Sequence, residues 1–243
     1  MNAYSALAPA YDALTYDISH RDILTFWETI LSQRGKRPSR VLDLACGTGS
    51  LSVLLAAREY DVTAADASEE MLTAAADKAA AMKNPPRFVR QKMQSLRLPQ
   101  PVDWIVSSVD GFNYLKPADC RKALERCYVN LNPGGILTFD VSSPQKLRAM
   151  DGQVWLDETD DVYCVWRTDF EEDKCRFGVD LFTRRGEAWT REFEEHVQYA
   201  HSAAALRSYL KEAGFCRIEA FGDLTLQRPS RTAQRLFLAA EKE

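Results

Sequence analysis

A short apolar run that breaks into a glycine turn, VLDLACGTGS from Val41 to Ser50, restricts the fold more than any other stretch of this chain. Val41 to Ala45 suits a buried strand, and SLSVLLAAREY after the turn suits a helix. The same alternation then repeats. Asp61 to Ala65 reads as a second strand, and an alanine-rich helix runs from Ser68 to about Lys83. RFVRQ is a third strand, Val102 to Ser107 a fourth, Ala118 to Asn130 a helix, and ILTFDV after the turn NPGG a fifth strand. Strands alternating with helices over short connections predict a parallel sheet covered on both faces.

After Pro144 the pattern changes. VYCVWRTDF, CRFGVDLFTRR and AWTREFEEHVQYA are successive strand-like runs separated by EEDK and RRGE, the mark of an antiparallel meander. A helix, SAAALRSYLKEAGF, and two last strands around CRIEAF and RLFLAA follow. The expected organisation is a helical N-terminal cap over residues 1–38, an α/β core over 39–145 and 201–243, and a β-rich antiparallel insertion over 146–200. Within the cap, SHRDILTFWETILSQ has apolar residues at helical spacing.

Gly47 and Gly49 let a ligand approach the backbone, and the next helix offers unpaired N–H groups. Such a cradle suits a pyrophosphate, yet Asp43 stands just before it and would repel one. Ser52 also occupies the place of the third glycine of a dinucleotide fingerprint. A ligand with a cationic amino acid end fits better, its ammonium held by Asp43. Asp66 ends the second strand at the offset where an acid accepts ribose hydroxyls. Amino acid plus ribose points to S-adenosyl-L-methionine as cofactor.

With these residues in place, the chain resembles the class I S-adenosylmethionine-dependent methyltransferases. VLDLACGTGSLSVLLA, VTAADASEEML and LNPGGILTFDV carry the resemblance. YSALAPAYDAL, VDGFNYL and EEHVQYAHSAAALRSYLKEAGF narrow it to a bacterial group of small-molecule methyltransferases. The resemblance implies a Rossmann-like α/β sheet, mostly parallel with its last strand antiparallel. It places Cys46, Gly47, Thr48 and Gly49 at the methionine moiety, and Asp66 with Ala67 at the ribose. Met71 would pack on the adenine, Met93 and neighbouring backbone would meet the adenine edge, and Tyr11 would lie over the cofactor. Where the family often has an acid after the third strand, this chain has Lys92, which only donates hydrogen bonds.

Methyl transfer from a sulfonium is an in-line displacement, so the protein's main task is to position the acceptor. Asp110, Asn113 and Tyr114 follow the fourth strand at the sheet edge where ligands bind, with Asp110 and Asn113 as candidate catalytic groups and Tyr114 as a substrate contact. Asp140 occupies a similar position after the fifth strand. His196 is a candidate general base. Trp155 and Trp166 are candidates for an aromatic lid over the substrate. Tyr4 joins them on a leading segment with few core anchors, a segment expected to order when cofactor binds.

Composition narrows the partners. A net charge of -4 gives no global attraction for DNA or an anionic membrane, and no apolar run reaches bilayer length. The start of the chain lacks the features of a signal peptide. Six scattered cysteines and three histidines argue for free thiols in a reducing cytoplasm and against a metal site. Cys120 and Cys127 read as core residues, and nothing near Cys46 marks an activated thiolate. The expected partner is a small-molecule methyl acceptor. An RNA or protein acceptor stays open through Arg184, Arg185 and Arg191. A non-catalytic cofactor-binding module and an NAD-dependent oxidoreductase are the other readings.

Overall fold

The computed structural model describes residues 4, 6–15 and 19–243. Of the leading segment expected to cap the site, residues 1–3, 5 and 16–18 therefore lie outside the described residues. A 3-10 turn, Ala8–Ala10, runs into α1 (Tyr11–Leu14), and α2 (His20–Gln33) follows. The core then alternates β1 (Arg40–Leu44), α3 (Ser50–Ala57), β2 (Asp61–Asp66), α4 (Glu69–Ala79), β3 (Arg87–Arg90) and β4 (Val102–Ser107). It continues through α5 (Pro117–Asn130), β5 (Leu131–Ser142) and α6 (Pro144–Ala149). The second sheet is β6 (Val154–Glu158), β7 (Val162–Glu171), β8 (Lys174–Arg185) and β9 (Ala188–Tyr199). The chain closes with α7 (Ala203–Glu212), β10 (Cys216–Gly222) and β11 (Arg235–Glu241).

The main sheet has strand order β10-β11-β5-β4-β1-β2-β3, with β11 antiparallel to both its neighbours. Its two faces are covered separately, as the continuous apolar strands require. Val41 of β1 and Trp104 of β4 pack with Ile23, Trp27 and Ile30 of α2. Leu42 and Leu44, on the opposite face, pack with Leu124 of α5 and Leu206 of α7. Ser19 caps α2 by accepting from Asp22 N, and Ser68 caps α4 by accepting from Met71 N. Cys120 and Cys127 are buried in this core.

The second sheet is antiparallel throughout, in the order β6-β7-β8-β9. The EEDK turn is tight because Glu172 and Asp173 both take positive φ, 50° and 60°, the combination that matches hairpin twist. Strand β6 and helix α6 are additions to the sequence reading. VWLDE gives a weak strand signal because Val154 and Leu156 are exposed and acids follow. NPGG is less a turn than a bulge within β5: Val102 pairs with Leu131, and Trp104 with Ile136. α3 and α4 both end earlier than their patterns suggest, at Ala57 and Ala79.

The leading segment corrects another expectation. Leu7, Ala10 and Leu14 are buried in a cluster with Cys164, Cys175 and Leu181 of the second sheet. The anchors went unrecognised because they pack on distant strands rather than on a neighbouring helix. Among the described residues, no helix is long and apolar enough to cross a membrane.

Candidate active site

The strand order reverses beside β1, between β2 and β4, and a cavity of about 480 Å³ opens at the carboxyl ends of these strands. Its floor is the glycine turn. Ala45, Gly47 and Gly49 take φ of 57°, 54° and 74°, folding the chain sharply from β1 into α3. A Cβ on Gly49 would come 2.8 Å from the Ala75 Cβ. A Cβ on Gly111 would come 2.9 Å from that of Ala45, so the glycine in VDGFNYL lets the loop after β4 lie on the turn.

Asp66 braces this floor. It accepts from the Gly47 and Ser68 amides, each at 2.9 Å. Asp43 lies beneath, buried, and accepts from the Ser52 hydroxyl. The residue in place of the third glycine therefore partners the acid before the turn. Burial pushes the Asp43 carboxyl up to about 7, against the Ser52 bond, and Asp66 adds to the rise. Burial raises Asp66 as well. A cavity with two desolvated acids in its lining favours a cation. A Cβ on Gly47 would meet nothing within 4 Å, so the turn leaves open space beside its backbone. Ser108 adds a buried hydroxyl that has no partner among the described residues. These features fit the amino acid end and ribose of S-adenosylmethionine.

Cys46, Thr48, Ala67, Met71 and Met93 also line the cavity, whereas Gly49 acts behind the turn by its packing on α4. Burial pushes the Cys46 thiol up, so it has no thiolate character. Lys92 lines the cavity but is exposed at its rim. Its neighbour Gln91 is occupied by the backbone of Arg97 through bonds of 2.8 and 3.0 Å.

The roof comes from distant parts of the chain. Tyr4, Tyr11 and Tyr114 line the cavity together. Tyr4 packs edge-on to Tyr11 at 5.7 Å between centroids, and its hydroxyl is hydrogen-bonded to that of Tyr114. Burial pushes the Tyr114 hydroxyl up to about 12 and holds those of Tyr4 and Tyr11 above their ordinary value. His196 stands at 4.6 Å from the Tyr4 ring and 6.2 Å from that of Tyr114, outside the lining itself. Asp12 ties α1 to the floor, accepting from Thr48 Oγ1 at 2.6 Å and pairing with Lys78 at 2.6 Å.

The other candidates have different partners. Asp110 is paired with Arg235 at 2.8 Å and accepts from Gln198 at 2.6 Å. Burial opposes its charge, but the Arg235 guanidinium prevails and holds the carboxyl below its usual range. Asp140 is bound to the same arginine and accepts from the Val109 and Asp110 amides. Asn113 is spent on the Ser142 backbone and the Tyr199 carbonyl. Trp155 and Trp166 stack on each other at 5.8 Å and 7°. None of these five lines the cavity, so the geometry gives them supporting positions. Sequence proximity to a strand end could not distinguish a cavity wall from the network behind it. Among the residues that sequence reasoning missed are His20 and Ser108 in the lining, Asp12, and Glu194 on β9. Of these four, Asp12 and Glu194 had a signal, since both lie inside the quoted motifs YSALAPAYDAL and EEHVQYA.

Comparison with known proteins agrees with this geometry. Residues 41–135 match the family described as "Methyltransferase domain". The chain is 34% identical to "Putative methyltransferase YqeM" of Bacillus subtilis (strain 168), over 98% of this chain and 97% of that protein. A "Glycine/sarcosine N-methyltransferase" of Parasynechococcus marenigrum (strain WH8102) is 30% identical over 90% of this chain and 76% of its own. The crystal structure of an S-adenosylmethionine-dependent methyltransferase from Clostridium acetobutylicum ATCC 824 superposes with a TM-score of 0.89 at 26% identity, covering 99% of both chains. The chain belongs to the class I S-adenosylmethionine-dependent methyltransferases.

Proposed function

We propose that this enzyme methylates a small-molecule acceptor, with S-adenosyl-L-methionine held in the cavity above the glycine turn. The observation that carries the reading is the pairing of a buried, cation-seeking floor with a roof of neutral phenols in one cavity. Asp43 would take the ammonium, Asp66 the ribose hydroxyls, Met71 a face of the adenine and Met93 its edge. When bound, the cofactor supplies a methyl group activated on sulfonium sulfur. The chain's own residues position and enclose. Tyr4 and Tyr114 present hydroxyls that remain protonated near neutral pH and orient an acceptor by hydrogen bonding. The leading segment around Tyr4 and Tyr11, held in place by the second sheet, acts as the lid and excludes water.

A small acceptor is favoured because three tyrosines crowd over one cavity of about 480 Å³. The glycine/sarcosine N-methyltransferase noted above is, by its name, an enzyme of small acceptors. Arg191, one of the arginines that left an RNA acceptor open, is engaged by Asp180 at 2.5 Å. Calorimetric titration with S-adenosylhomocysteine is the direct test, followed by an acceptor screen with labelled methyl donor. Micromolar binding and labelling of small molecules but not of RNA or protein is the expected result. Folded protein that fails to bind would overturn the cofactor reading, and labelling confined to macromolecules would overturn the acceptor.

A further inference from the structure

Strand β9 inverts the usual order of an edge strand. Its buried face is polar: Glu194, His196 and Gln198 alternate inward, at 4%, 3% and 6% exposure, while Phe193 is 46% exposed. Burying polar side chains is unfavourable unless each finds partners. Here the partners belong to the roof. Gln198 donates to Asp110, His196 packs on Tyr4 and Tyr114, and Glu194 accepts from backbone amides of the leading segment. The Tyr4 amide donates to Glu194 Oε2 at 3.1 Å, and the Ala6 amide to Oε1. Tyr4 itself takes a φ of 71°, a left-handed conformation that a tyrosine holds only when its surroundings enforce it.

We propose that Glu194 is a positioning residue for methyl transfer: it grips the backbone at Tyr4 and Ala6 and so sets the Tyr4 ring over the cavity. This rests on the reading of the cavity as the cofactor and acceptor site. A carboxylate suits the task because its two oxygens accept from two amides at once, and charge-assisted bonds of this kind are about twice as strong as neutral ones. The His196 ring, 3.2 Å from Glu194 through Nε2, walls the carboxylate from water. Hydrophobic anchoring by Leu7 and Leu14 brings the segment to the second sheet, and Glu194 fixes its register there.

The test compares wild type with Glu194→Gln, which keeps size but presents an amide donor to one of the two backbone N–H groups. Hydrogen exchange of residues 4–14 is measured first on the unliganded proteins, so this arm does not depend on the cofactor. We expect exchange in that segment to rise about ten-fold, with the main sheet unchanged. Stopped-flow dissociation of S-adenosylhomocysteine is then expected to quicken several-fold in Glu194→Gln and in Tyr4→Ala. The double variant should be no worse than Tyr4→Ala alone, because Glu194 acts through Tyr4. Unchanged exchange in a folded Glu194→Gln overturns the proposal, as do additive effects in the double variant. Faster exchange with unaltered dissociation overturns the positioning role and leaves an anchor only. Wild type that does not bind S-adenosylhomocysteine would instead refute the cofactor reading while the exchange result still decides the grip. Should Glu194→Gln lose its thermal transition, Glu194→Asp takes its place with the same readouts.

Discussion

Two buried or half-buried carboxylates perform the same task in this molecule at different ranges. Asp66 accepts from the amides of Gly47 and Ser68, 19 and 2 residues away in the chain, and braces the cavity floor. Glu194 accepts from the amides of Tyr4 and Ala6, 190 and 188 residues away, and holds the roof. The floor is thus assembled within one βαβ unit, and its geometry follows from a few neighbouring residues. The roof exists only after the second sheet, the leading segment and the loop after β4 have come together. Local construction favours a cofactor site that is always formed. Long-range construction favours an acceptor site that can differ between relatives without disturbing the floor.

The largest effect that tests this division concerns Arg235 on β11, which bridges Asp110 and Asp140 behind the roof. Burial opposes its charge, but the two acids hold the guanidinium ionised. Arg235→Leu leaves both carboxylates buried without their cation, a loss of about 3–5 kcal/mol in stability measured by urea unfolding. Adding Asp110→Asn should restore part of it. A variant that stays folded should still bind S-adenosylhomocysteine near wild-type affinity, since the network stands outside the cavity lining. A collapse of affinity at full stability would mean that roof and floor are one unit.

Asp66→Ala strikes the floor instead. It removes the candidate ribose contact and leaves the Gly47 and Ser68 amides without their acceptor. We expect S-adenosylhomocysteine to bind about 100-fold more weakly, the equivalent of one or two charged hydrogen bonds, by calorimetry. A change of less than about three-fold would show that Asp66 serves only the turn.

The same contrast explains what could be read from the chain beforehand. Val41 to Ser50 and Asp61 to Asp66 were legible because strand, turn and acid lie side by side and each residue type has a local reason. The parallel core and the antiparallel second sheet were legible for the same reason, through periodicity and turn chemistry. Asp110, Asn113 and His196 stand outside the cavity lining, a placement that sequence does not show because their partners Arg235, Tyr199 and Tyr4 lie far along the chain. Trp155 and Trp166 carry no mark in sequence that would distinguish stacking on each other from stacking on a ligand. Glu194 lies inside a quoted motif, yet its inward role was not legible, because an acid on a strand is ordinarily a solvent-facing residue.

A smaller effect sharpens the floor's electrostatics. The Asp43 carboxyl is raised from an ordinary 3.8 to about 7, chiefly by burial. The unliganded fold is therefore favoured while Asp43 is protonated, and that contribution is lost as pH rises from about 4 through 7. A cationic ligand reverses the sense, because its ammonium stabilises the ionised acid. S-adenosylhomocysteine affinity should rise up to about ten-fold per pH unit below 7 and level off above it. Asp43→Asn should bind more weakly at pH 8 and lose the slope. A slope that survives in Asp43→Asn would assign the titration elsewhere in the cavity, with His20 the first group to examine, since burial lowers its basicity with Lys78 adding to the effect against Asp12.

The smallest effect is the most informative about the roof. Tyr114→Phe keeps the ring against the cavity and removes only the hydroxyl bonded to Tyr4. A neutral hydrogen bond contributes about 1 kcal/mol, so stability should fall by no more than that. Affinity for S-adenosylhomocysteine should stay within about two-fold of wild type, because the Tyr4 and Tyr114 rings both stay over the floor and only one hydroxyl is lost. Turnover of an acceptor found by the labelled-methyl screen should fall by several-fold, mainly in kcat/KM. Because burial pushes the Tyr114 hydroxyl up to about 12, wild type and variant should share the same pH–rate profile below pH 10. An altered profile would make Tyr114 a proton carrier rather than an orienting hydroxyl. Cofactor affinity reduced as far as in Asp66→Ala would place the Tyr4–Tyr114 pair in the cofactor site, and the separation of a local floor from an assembled roof would fail.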